Sequence, residues 1–198
     1  MILRLLQSSS FLKKLYFNKL GKAWVKKKLG AFEEHLPPRS EIIDIGCGNG
    51  LVTHELREKG HDVTPVDIAK LSYSKKVSPV VYNGKHIPFK SKSFNFALLL
   101  TVLHHTENPE KLLKEAARVA GNVIIIEDVY NNTFQKHLTF AMDTFVNLFY
   151  SKCTYQNKND TEWKQLFEKL NLKLILSKEQ RILLFFRQAV YILKSEFE

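Results

Sequence analysis

Ile42-Ile43-Asp44-Ile45-Gly46-Cys47-Gly48-Asn49-Gly50 is the stretch that decides how this chain folds. An apolar, β-forming run meets glycines at every second position, and a helix-compatible segment over residues 50–59 opens directly after them. Glycine in such a turn adopts left-handed backbone angles and leaves no side chain to hold a ligand off the main chain. The free N–H groups of the following helix's first turn favour an anionic ligand group. Asp67 ends the next apolar run, where a carboxylate can accept hydrogen bonds from both hydroxyls of a ribose.

Outward from this turn, apolar runs alternate with amphipathic ones. Strands are expected over 41–45, 62–66, 79–82, 96–102 and 122–127, with helices over 50–59, 69–76 and 109–119. Strands apolar on both faces and separated by helices argue for a parallel sheet covered on both sides, a doubly wound α/β domain. The last third differs. Helices are expected over 134–150 and 161–170, then strands over 172–177 and 182–193, close enough to pair as an antiparallel hairpin.

Composition excludes several classes. With 198 residues, 44% hydrophobic and 25% charged, the chain suits one globular domain with a sizeable core. Gly (8), Pro (6) and Cys (2) are too scarce for a collagen-like, low-complexity or disulfide-framework protein, so a reducing, cytoplasmic setting is expected. The longest apolar stretch, over 94–103, is about half the ~20 residues of a membrane span.

The net charge of +10 is not spread evenly. Residues 1–32 hold Arg4, Lys13, Lys14, Lys19, Lys22, Lys26, Lys27 and Lys28 and no acid, while the remainder is nearly neutral. Leu12, Tyr16, Leu20 and Trp24 recur at helical spacing, so residues 1–38, up to Pro37-Pro38, read as a basic amphipathic helical arm. Three readings fit it: a helix packed on the domain edge, a helix adsorbed to an anionic membrane surface, or a mitochondrial transit segment. The main domain then spans 39–198, with a helical insertion at about 131–160.

The spacing Asp44-x-Gly46-x-Gly48-x-Gly50 differs from the G-x-G-x-x-G of dinucleotide enzymes. It resembles motif I of the class I S-adenosylmethionine-dependent methyltransferases. Val63-Thr64-Pro65-Val66-Asp67-Ile68 looks like the family's second motif, and Asn83-Gly84-Lys85-His86-Ile87-Pro88-Phe89 is similar to its D-(A/G)-x-x-L-P-F segment. Ser93-Phe94-Asn95 and residues 98–105 look like its S-F-D … V-L-H-H strand. The match spans about residues 40–130 and resembles the methyltransferase type 11 group. Asn83 and Asn95 stand where Asp is usual, Pro65 where Gly is common, and Ala120-Gly121 where a longer turn is usual.

The resemblance implies a Rossmann-like seven-stranded sheet, strand order 3-2-1-4-5-7-6, mostly parallel with a C-terminal antiparallel hairpin. It implies S-adenosylmethionine as cofactor, S-adenosylhomocysteine as product, and no metal. Gly46, Cys47, Gly48 and Gly50 would line the methionine part, with Asp44 ordering the turn. Asp67 would hold the ribose, Ile68 would lie against the adenine, and Asn83 with Gly84 would face the adenine amino group. Thr101 would sit near the sulfonium.

A base is needed only where the acceptor atom is protonated. His104 and His105 follow the buried strand; as neighbours on an extended segment they would point to opposite sides, each reads as a helix-capping or packing histidine or as a base, and the family resemblance implies His105 as the candidate base. Glu127 and Asp128, at the end of the next strand, read as solvated or capping carboxylates or as carboxylates entering the pocket, and Tyr130 as a pocket candidate. Phe134, Phe140, Phe145, Phe149, Tyr150 and Tyr155 give the insertion an apolar stripe suited to core or to a lid. Cys153 reads as an ordinary thiol, and the histidines lack metal-ligand spacing.

The expectation is an enzyme that methylates oxygen or carbon of a small molecule, apolar or lipid-like, with peripheral membrane contact through the arm. An RNA or protein methyltransferase steered by the arm is the alternative. A non-catalytic S-adenosylmethionine-binding protein is the third reading.

Overall fold

The computed structural model describes residues 21–72, 76–147, 156–182 and 186–195, with the backbone alone over 141–147. They form seven strands: β1 (Glu41–Ile45), β2 (Asp62–Asp67), β3 (Val80–Val81), β4 (Phe94–Leu100), β5 (Ala120–Val129), β6 (Leu172–Arg181) and β7 (Arg187–Ser195). The α-helices are α1 (Lys22–Leu29), α2 (Leu51–Glu58), α3 (Pro109–Val119), α4 (Thr133–Asn147) and α5 (Asp160–Lys169). One sheet holds all seven strands in the order β3-β2-β1-β4-β5-β7-β6. β1 through β5 pair in parallel, and β7 runs antiparallel to both β5 and β6. This is the strand order and direction of pairing that the family resemblance implies.

The strands are apolar on both faces because both faces are covered. Ile43, Ile45, Ala97, Leu99, Val123 and Ile125 pack with α3 and α5 through Leu112, Leu113, Trp163 and Phe167. Ile42, Leu98, Leu100, Ile124 and Ile126 pack on the other side with Val25 and Leu29 of α1 and Leu51 and Leu56 of α2. Burying one such side chain contributes roughly 1.5–3 kcal/mol.

Local chemistry sets the helix starts. Asn108 accepts the Lys111 N–H and Pro109 occupies the first turn of α3. Asn159 and Glu162 form a capping box on α5.

Three expectations change. The short helix expected over 69–76 is absent from the described part of that segment, where residues 69–72 take no helical form. A carboxylate end instead organises the chain there, since Asp67 Oδ1 accepts the Ala69 N–H. Of the arm's apolar stripe only Trp24 is described, and it is not inward. Leu12, Tyr16 and Leu20 lie outside the described residues, while Trp24 is 45% exposed, and Val25, Leu29, Phe32 and Leu36 enter the core instead. In the insertion, Phe134 is 71% exposed and so packs in no core; the side chains of Phe145, Phe149, Tyr150 and Tyr155, and Cys153, lie outside the described residues. No described helix is long and apolar enough to cross a membrane.

Candidate functional site

Strand order reverses between the neighbours β1 and β4, and in open α/β sheets ligands bind in the crevice at the carboxyl ends where this happens. The residues gathered there are the 46–50 turn, Asp67, the segment 101–105 after β4, and the end of β5.

The turn is left-handed at Gly46 (φ 72), Gly48 (φ 51) and Gly50 (φ 77), but the three glycines serve different ends. A Cβ on Gly46 would stand 2.7 Å from Val102 Cγ2, and one on Gly50 would stand 2.8 Å from Val77 Cγ1. Those two are glycine because the protein itself crowds them. A Cβ on Gly48 would meet nothing closer than the Gly46 carbonyl at 4.0 Å. Only Gly48 faces open space.

Asp67 Oδ2 accepts the Gly48 N–H at 2.8 Å, and the Gly46 N–H donates to the Val66 carbonyl, also at 2.8 Å. The end of β2 therefore clamps the turn after β1. Beside it Ile68 is 66% exposed, and a Cβ on Gly84 would lie 3.4 Å from its Cγ2. Ile68 and the Asn83-Gly84 turn are thus neighbours. The Asn83 Oδ1 accepts N–H groups from Lys85 (2.9 Å) and His86 (3.0 Å), so its oxygen holds its own turn and its NH2 remains to donate.

Below the turn, Thr53 Oγ1 donates to Asp44 Oδ2 at 2.6 Å. Burial, offset by that bond and by Lys28, pushes the Asp44 carboxyl up to about 6. Burial, with Asp44 and Asp67 adding to it, also holds the Cys47 thiol far above its ordinary value, so Cys47 is no nucleophile.

The segment after β4 carries what sequence reading missed. Glu127 is fully buried. Its Oε1 accepts N–H groups from Val102 (2.9 Å) and Leu103 (2.7 Å), and its Oε2 pairs with His104 Nδ1. The expectation of a solvated or capping carboxylate gives way to a buried anchor for the whole 102–104 segment. Residues 103–105 form a 3-10 turn rather than an extended segment, so the His104 and His105 rings do not diverge: their centroids are 3.9 Å apart. His105 is half-buried, and burial, followed by the neighbouring His104, lowers its pKa to about 4. It is a neutral imidazole at physiological pH.

Asp128 accepts from Gln188 Nε2 at 2.8 Å. Tyr130 donates to Glu162 Oε2 at 3.2 Å, on the start of α5. Thr101 lies at the crevice mouth with φ 61, an uncommon angle for a β-branched residue that costs on the order of 1–3 kcal/mol. Lys28, carried on α1 and only 3% exposed, donates from Nζ to Thr101 Oγ1 at 2.9 Å. Nothing local to Lys28 distinguishes it from the other basic residues of the arm, because its partner lies across the fold.

These residues fit an adenosyl amino acid. Asp67 keeps acceptor capacity for a ribose diol beside the left-handed, side-chain-free Gly48, and the exposed Ile68 side chain offers an apolar face to a flat ring. Among the described residues no three His, Cys, Asp or Glu side chains come together as metal ligands.

A doubly wound sheet ending in an antiparallel hairpin, with this turn at its switch point, defines the Rossmann-like methyltransferase class. Residues 43–122 match the family described as a methyltransferase domain. Among curated proteins the chain is similar to an uncharacterised protein of Methanocaldococcus jannaschii, 32% identical over 112 residues (55% of this chain, 54% of that one). It is also similar to a ubiquinone biosynthesis O-methyltransferase of Idiomarina loihiensis, 27% identical over 104 residues (46% and 43%). A tRNA (carboxymethyluridine(34)-5-O)-methyltransferase of Schizosaccharomyces pombe is 35% identical over 91 residues (44% and 39%). The chain spans about half the length of the curated relatives it matches, or less. In structure it resembles a SAM-dependent methyltransferase of Methanosarcina mazei, with TM-score 0.65 at 19% identity, covering 85% of this chain and 98% of the other.

Proposed function

We propose that this chain transfers the methyl group of S-adenosylmethionine to an oxygen or carbon of a small molecule. The observation that carries the reading is the Asp67–Gly48 clamp on a left-handed turn, with the exposed Ile68 side chain beside it. Asp67 would hold the ribose, Gly48 would let the backbone approach the amino-acid half, and Ile68 with Asn83 and Gly84 would take the adenine. When bound, the cofactor supplies a methyl group already activated by its sulfonium, so the protein's task is alignment and exclusion of water. Alignment alone can contribute about 7–11 kcal/mol.

Buried Glu127 fixes the backbone of 102–104 and so holds His105 at the crevice. As a neutral imidazole, His105 keeps a lone pair for a proton from an acceptor hydroxyl. The O-methyltransferase relative supports oxygen as the acceptor atom. Transfer to RNA is a second reading, favoured by the basic residues 1–32 and by the tRNA-modifying relative.

Titration calorimetry with S-adenosylhomocysteine tests the cofactor assignment: saturable heat is expected, and heat with NADH in its place would overturn it. Incubation with methyl-labelled S-adenosylmethionine and a cell extract tests the acceptor. Label in small metabolites is expected, whereas label in RNA, lost steeply with added salt, would establish the second reading.

A further inference from the structure

The N-terminal helix α1 reaches the centre of this site through one side chain. Lys28 is buried and donates from Nζ to Thr101 Oγ1 at 2.9 Å and to the Leu100 carbonyl at 3.4 Å. Trp24, one helical turn earlier, lays its ring 3.9 Å from the same Nζ and shields the ammonium from solvent.

Thr101 Oγ1 donates its own proton to the Leu100 carbonyl at 2.5 Å, and its N–H donates to the Ile126 carbonyl at 2.6 Å. The left-handed Thr101 is therefore held from three sides, and only one of the three comes from outside the sheet. Backbone strain persists only where its surroundings over-determine it. The next residue, Val102, fills with its methyl groups the space where a Gly46 Cβ would be. Any relaxation of Thr101 is transmitted to the first glycine of the turn.

We infer that Lys28 is a positioning residue: it keeps Thr101 left-handed, and through Val102 it sets the half of the site that receives the amino-acid moiety of the cofactor. The inference rests on the proposed cofactor reading. It gives α1, which lies outside the matched 43–122 segment, a part in the site beyond packing. Lys28 touches neither the adenine nor the ribose side, since Asp67, Ile68 and Asn83 belong to the β2–β3 side of the crevice. Loss of Lys28 then separates two ligands. S-adenosylhomocysteine, which has the amino-acid half, loses affinity; adenosine, which lacks it, does not.

Calorimetry on the full chain decides the matter. Lys28→Met, close in length and apolar, is expected to weaken S-adenosylhomocysteine about tenfold and to leave adenosine within about twofold. Thr101→Val, which removes the hydroxyl partner and keeps the branched shape, is expected to do the same. Thr101→Gly removes the penalty on a left-handed backbone, so Lys28→Met added to it is expected to cost S-adenosylhomocysteine less than about threefold, a non-additivity that marks coupled residues. Equal loss of both ligands, no loss of either, or a full tenfold cost of Lys28→Met in the Thr101→Gly background overturns the inference. Absence of S-adenosylhomocysteine binding by the unaltered chain is a different result, which removes the cofactor reading itself and this inference with it.

Discussion

Asp67 at the end of β2 accepts the N–H of Gly48 at 2.8 Å, so the carboxylate proposed to hold the ribose also holds the glycine turn in shape. Charge-assisted hydrogen bonds are worth roughly 1.5–3 kcal/mol. Asp67→Ala therefore weakens S-adenosylhomocysteine by at least about tenfold in calorimetry, through both the lost ribose contact and the loosened turn. Asp67→Asn recovers only part of this.

The glycines of the turn separate by what crowds them. Gly46→Ala forces a Cβ against Val102 at φ 72, so it costs stability, by about 1–3 kcal/mol in urea unfolding. Val102→Ala in the same chain relieves part of that cost. Gly48→Ala has open space around it and loses less stability, while its new methyl group blocks the ligand. Melting curves and calorimetry on the two variants should show opposite rankings.

Lys28 gives the fold a pH signature of definite sign. Its pKa falls from 10.5 in the unfolded chain to about 8, chiefly by burial, with Asp128, Glu127 and Asp44 opposing the shift. Below about pH 8 both states are protonated and the fold bears the whole burial penalty. Between about 8 and 10.5 the unfolded chain binds more protons, so stability rises with pH, by about 3 kcal/mol in all. Lys28→Met should flatten this rise in urea titrations run from pH 7 to 10.

Asp44 behaves in the opposite sense. Burial raises its pKa from 3.8 to about 6, so the native state binds the extra proton and stability falls as pH rises from about 4 to 6. Asp44→Asn removes a penalty of up to about 3 kcal/mol at pH 7. We expect a higher melting temperature at pH 7, no difference from the unaltered chain below about pH 4, and weaker S-adenosylhomocysteine binding.

Glu127 is expected to be the least replaceable carboxylate. Glu127→Ala strands the N–H groups of Val102 and Leu103 together with His104, all buried or half-buried. Leaving such partners unsatisfied costs about 3–5 kcal/mol, read as a large drop in the urea midpoint.

Much of the fold was legible because its signals are local. The strand–glycine–helix sequence at 42–50, the apolar runs of β4 and β5, and the Asn108-Pro109 start of α3 each need only neighbours along the chain. The expected short helix does not form over the described residues 69–72, where Asp67 captures the Ala69 N–H, a competing contact that hydrophobic spacing does not register. Within the described part of the arm, Trp24 faces outward while α1 meets a sheet surface that places Val25 and Leu29 inward.

By itself the sequence determined the order of strands and helices, the left-handed turn and the carboxylate at Asp67, because backbone preference and hydrophobic period act over a few residues. Only the tertiary structure decided that Glu127 anchors His104, that Val102 fills the space beside Gly46, and that Lys28 reaches Thr101. Each of those pairs is far apart in the chain, and their burial and hydrogen bonding exist only once the carboxyl ends of β1, β4 and β5 have been brought side by side.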